Sequence, residues 1–150
     1  MSFYGFIVLL HVIAAVSGLG ATFALPILMS RPKTTSQARF AFTVNAGIEK
    51  MAKIGSISLL ITGLILGALN TELFTHFWYI ASLVIYIAIQ PIVAVILPKK
   101  MMQQIEILEE HNGEELPESY LKISKQIAPF TGMSHLAALL LIILMVTKPF

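Results

Sequence analysis

The 150-residue chain is 57% apolar and only 12% charged, against about 25% charged in an ordinary soluble domain. Its net charge of +2 sits in basic residues that flank apolar runs. That pattern fits membrane orientation and anionic lipid headgroups rather than nucleic acid. The absence of cysteine excludes thiol catalysis, disulfides and cysteine-ligated metals.

The first apolar run, Tyr4 to Met29, is long enough to cross a ~30 Å hydrocarbon core as a helix. It has no basic n-region before it and no small-residue cleavage site after it, so it is expected to persist as a transmembrane helix. Ala14, Gly18 and Thr22 form a small-residue stripe for close helix approach. Pro26 removes a backbone donor and favours a kink. The connector Ser30 to Ile48 mixes Pro, Thr, Ser and Asn with basic residues. Its central part, Ser36 to Val44, is expected to be a short interfacial helix carrying Phe40 and Phe42.

Glu49 and Lys53 then stand at the spacing of an interfacial ion pair. The second run, Ile54 to Leu69, carries Gly63 and Gly67 in the pattern GLILG. A short link, Asn70 to His76, makes helices two and three antiparallel neighbours. Trp78 and Tyr79 open the third run, Phe77 to Pro98, at the depth of an aromatic belt. Gln90 and Pro91 join a polar side chain to a second proline kink.

The segment Lys99 to Ala128 is the one soluble-looking stretch. Met101, Ile105 and Leu108 recur at helical spacing, His111-Asn112-Gly113 marks a turn, and Pro117 opens a further helix with Leu121, Ile123 and Ile127. The expectation is a cytoplasmic helical hairpin extending helices three and four. The fourth run is Thr131 to Val146. The fold class is therefore all-α: residues 1–150 form a single four-helix transmembrane bundle. Arg31, Lys33, Arg39, Lys50 and Lys53 lie in one connector, and Lys99, Lys100, Lys122 and Lys125 in the other. Only Lys148 lies on the opposite side, which predicts a plasma-membrane protein with both termini outside.

Counting 1.5 Å per residue converts position to depth. His11, Thr62, Ser82 and Tyr86 then share a layer roughly 10 Å deep, and Ser17, Ser56, Gln90 and His135 a second at roughly 20 Å. Intramembrane ionisable residues are functional candidates by default, and neutral histidine is a common ligand of haem iron. His11 is accordingly the candidate haem b ligand, with Thr62 and Tyr86 as partners of its second nitrogen. Gln90 and His135 are expected to form a structural polar pair. The ~9 Å depth offset argues against both histidines clamping one iron. Glu72, His76 and His11 are of suitable type for a metal, but a solvated helix start explains the first two better, and no metal is expected. The acidic residues from Glu106 to Glu115 read as a solvated face. No catalytic triad, phosphate loop or paired-carboxylate site is present, so enzyme activity is left open.

The string LHVIAAVSGLGATFALPILM, with His11, the small residues Ala14 to Gly20 and Leu25-Pro26, resembles the first helix of small bacterial four-helix membrane proteins. The tail Lys148-Pro149-Phe150 resembles them too. The nearest likeness is to a bacterial integral membrane family of unknown function. More distantly the chain looks like the membrane-type protoporphyrinogen oxidase family and the copper-resistance D membrane domain. The oxidase resemblance implies haem at His11. It also implies a lysine shortly after a helix-three tryptophan; Trp78 is present, but Ser82 stands where that lysine would be, and the next lysine is Lys99. These readings point to an accessory or redox-associated protein holding haem b through His11. The alternatives are a cofactor-free partner or assembly subunit, docking another membrane protein or a second copy, and a small-solute transporter.

Overall fold

A computed structural model describes all 150 residues. Four long helices make up the molecule: α1 (Phe3–Met29), α2 (Thr35–Leu69), α3 (Phe77–Glu110) and α4 (Glu118–Thr147). All four are long and apolar enough to cross a membrane. Their packing is that of a protein dissolved in lipid. Large apolar side chains such as Val12, Val16, Ile57, Ile61, Val84 and Ile143 point outward, while much of what is buried in the spans is small. Where tails and side chains are equally apolar, association comes from close backbone approach and interhelical hydrogen bonds.

The closest approach joins α1 and α2. A Cβ on Gly55 would lie 2.5 Å from the Gly18 amide nitrogen, and one on Gly18 would lie 2.9 Å from the Ser56 nitrogen. Gly63 lies under the His11 ring, and Gly67 under the Tyr79 ring and Phe74. The glycines of GLILG thus face other helices, as their spacing predicts.

A 3₁₀ turn, Thr71–Thr75, links α2 to α3. Tyr79 donates to the Gly63 carbonyl at 3.0 Å and Tyr86 to the Ser56 carbonyl at 2.8 Å. Seven residues separate the contacts on each helix, so the two pairs lock one antiparallel register. The N-terminus of α3 has no side-chain cap; the Phe77 amide instead donates to the Phe150 carbonyl. Lys148, in the left-handed conformation that ends α4, places its ammonium over the Trp78 ring at 5.5 Å. The tail singled out in the sequence therefore ties the end of α4 to the start of α3.

One expected element differs. Ser36 to Val44 is not a separate interfacial helix but part of the first turns of α2, which runs unbroken for 35 residues. The Thr34 side chain caps its start by accepting from the Gln37 amide, and no proline interrupts it. Phe42 is buried with Ala38, Leu108 and Tyr120, whereas Phe40 is exposed. The helical extensions of α3 and α4 form as expected and carry the other half of this cluster. Thr35 bonds the Glu114 and Glu115 carbonyls, and Arg39 bonds the Leu108 and His111 carbonyls, which closes the hairpin onto α2.

Candidate functional site

Proline decides the two irregular places in the spans. Pro26 lacks the N–H that would reach the Thr22 carbonyl four residues earlier. That carbonyl accepts from His135 Nε2 at 2.7 Å, and the imidazole stacks on Phe23 with centroids 5.1 Å apart. A carbonyl only accepts, so the His135 proton is on Nε2. The expected Gln90–His135 pair is therefore absent: the carbonyl freed by Pro26 offers His135 an acceptor on α1, which depth counting along α3 and α4 does not reveal. In α3, the turn after Pro91 widens into a π-helix, Ile92–Ile96, before α-helical geometry resumes at Leu97. Such π turns frequently mark functional sites.

Around that turn a cavity of about 420 Å³ opens between the α1/α2 pair and the α3/α4 pair. This lies at the small end of the ~300–1,000 Å³ range of ligand pockets. Its walls are mainly apolar, with Leu19, Val93, Ala137, Ala138 and Leu141 contributed from three helices. Polar side chains also reach it, among them Gln90 on α3 and Thr131 and Ser134 on α4, though they form little of the wall. Ser56 and Tyr86 satisfy each other, with hydroxyl oxygens 2.6 Å apart. Gln104 donates to the Tyr120 carbonyl and to Ser124. Toward the hairpin end, α2 presents Asn45, Glu49, Ala52, Ser56 and Leu59 to the cavity. Glu49 pairs with Lys53 at 2.7 Å, as its spacing predicts.

His11 Nδ1 lies 2.8 Å from Thr62 Oγ1. The Thr62 hydroxyl donates to the Ser58 carbonyl at 2.6 Å, so it accepts from His11 Nδ1–H. Nε2 keeps its lone pair, the tautomer that an axial ligand needs. The surroundings do not suit a haem. The imidazole Cε1 lies 3.2 Å from where a Gly63 Cβ would stand, and His11 is not among the residues lining the cavity. The cavity begins at Gly18, roughly 10 Å further along α1. Tyr86 does not join His11 and Thr62, because the tyrosine register sets it opposite Ser56, six residues from Thr62. Ser82 is likewise satisfied within its own helix by the Trp78 carbonyl. Glu72 sits in the 3₁₀ turn and His76 precedes α3, so the two do not share a helix face, and no metal-ligand cluster forms with His11.

Of the residues singled out in the sequence, Ser56, Tyr86 and Gln90 line the cavity; His11, Thr62 and His135 do not. Asn45, Gln104 and Ser134 were not singled out. The alternating four-and-three spacing from Asn45 to Leu59 is the signal for Asn45, hidden when residues 30–48 are read as a connector.

Residues 6–149 match the family described as predicted integral membrane protein (DUF2269), and the chain belongs to that family. No curated protein and no solved structure matches it.

Proposed function

We propose that this integral membrane protein binds a small amphipathic molecule in the cavity between its two helix pairs, as a carrier or small-solute transporter rather than a haem protein. The observation that carries this reading is the cavity itself, apolar over most of its wall, with a few polar groups and a π-helical turn at its side. Protein extracted in mild detergent should retain a stoichiometric small molecule identifiable by mass spectrometry. Ala138→Phe, which fills the cavity, should release it, whereas Leu139→Phe on the outward face should not. Retention in Ala138→Phe, or no bound molecule beyond bulk lipid in the unaltered protein, would overturn the proposal. A Soret band that vanishes in His11→Ala would restore haem in its place.

The same proposal places the hairpin end in the cytoplasm of a cell whose plasma membrane holds the protein. Nine of the ten basic residues lie at that end. Single cysteines at Ser36 and Asn112 should resist a membrane-impermeant thiol reagent in intact cells, while one at Ser2 should react. Labelling at 36 or 112 contradicts the orientation.

A further inference from the structure

The cavity between the helix pairs is closed at its ends and open on one side. At the hairpin end, Phe42, Leu108 and Tyr120 pack together, and the bonds of Thr35 and Arg39 hold α2 against the hairpin. At the opposite end the Gly18–Gly55 crossing sets backbone against backbone, and Leu59 and Leu141 are buried. On the α1/α4 side, His135 bonds the Thr22 carbonyl. The α2/α3 side is different. Over residues 77–96, no Cα of α3 comes within 8 Å of one in α2, and tyrosine hydroxyls span the gap. Exposure of the wall follows the same division. No wall residue from α1 or α4 is exposed, whereas Lys53 and Ile57 on α2 and Val93 and Ala94 on α3 are.

The outer edge of this opening is the clasp of Tyr86 on Ser56. Val93, in the π-helical turn, lies about 10 Å closer to the hairpin along α3. Lys53, its ammonium held by Glu49, stands one turn from Ile57 toward the same side. The rest of the rim is apolar, with Ile57 61% exposed and Val93 42%, so it meets lipid chains. A void inside the bundle forfeits dispersion contacts along its lining. Water is a poor filling, because each molecule needs about 2–4 polar partners and much of the wall's polarity is already spent. Ser56 is paired with Tyr86, Glu49 with Lys53, and Ser134 with the Phe130 carbonyl. A hydrocarbon chain restores the contacts without leaving a polar group of its own unmet. Resting on the cavity reading above, we propose that the cavity is loaded from the side. The ligand is a single-chain amphiphile from the leaflet on the hairpin side. Its chain enters between α2 and α3, and its head group stays at the membrane surface near Lys53. Glu49 already neutralises that lysine, so the site recognises the chain rather than the charge of the head.

The test places the full chain in phosphatidylcholine nanodiscs with a lysophosphatidylcholine that carries a diazirine near the end of its chain. Photo-insertion is mapped by peptide mass spectrometry. Ala137 and Ala138, buried on the cavity wall, should be labelled along with Leu140 on the outward face. Ile57→Trp combined with Ala94→Trp fills the opening, and should abolish label at Ala137 and Ala138 while Leu140 keeps its own. Ile54→Trp with Val95→Trp, at exposed positions outside the wall, should change neither. Cavity label that survives the filled opening overturns side entry. A second measurement needs no bulky substitution. The chain has no cysteine, so Ala137→Cys supplies a single thiol, which should stay inert to a water-soluble maleimide offered on both faces of the nanodisc. Reaction would show that the cavity opens to water, which overturns side entry and leaves the cavity reading intact. Absence of label at Ala137 and Ala138 in the unaltered protein overturns side entry as well, and the cavity reading then depends on the retained small molecule alone.

Discussion

Gly55→Ala is expected to lower the melting temperature of the detergent-extracted protein by about 5 °C or more, although it adds only one methyl group. Three atoms of α1 stand in the way: the Gly18 nitrogen at 2.5 Å, Ser17 Cβ at 2.9 Å and Gly18 Cα at 3.0 Å. Two are backbone, so no rotamer change can clear them and α1 must move away from α2. Overpacking of this kind costs about 1–3 kcal/mol, and each kcal/mol lowers the melting temperature by about 2–4 °C at this chain length. Gly47 is the internal control. It lies in the same helix with nothing within 4 Å of an added Cβ. Alanine there should be neutral or stabilising, because alanine favours a helix interior by about 1 kcal/mol over glycine. Equal melting temperatures for the two variants would show that the α1/α2 crossing is not the tight contact described.

The second large effect lies in the coupling between His135 and Pro26. His135→Phe preserves a ring against Phe23 but leaves the Thr22 carbonyl without its donor. The expected loss is about 1–2 kcal/mol, above the ~0.6 average for polar pairs in membranes, because Pro26 leaves the orphaned carbonyl no donor within its own helix. Pro26→Ala returns an N–H four residues on, which can close an ordinary helical bond to the same carbonyl. In that background His135→Phe should cost less, giving a coupling of about 1 kcal/mol in a double-mutant cycle read by thermal unfolding. Additive effects would mean that His135 and the proline are independent.

The four spans, the helical hairpin, the Glu49–Lys53 pair and the helix-facing glycines of GLILG were all legible in the sequence, because each depends on local pattern. Twenty apolar residues in a row have one solution in hydrocarbon, where every backbone group must bond within the segment. Small residues four apart make one face of a helix whatever lies opposite. The resemblance carried by His11, the Leu25-Pro26 pair and the tail pointed to an uncharacterised membrane family, and the family match agrees with it.

What only the tertiary structure decided was which polar groups meet. Depth counting assumed that α3 begins level with the end of α2, but the 3₁₀ turn and the Tyr79 and Tyr86 hydroxyls set another register, so Tyr86 serves Ser56 rather than His11. His135 found the carbonyl that Pro26 had freed instead of Gln90. Asn45 became a candidate only when the first turns of α2 folded against the hairpin and turned it toward the cavity. Apolar length determines that a helix spans the membrane. Rotation and vertical shift of one helix against another depend on a few close contacts between residues far apart in the chain.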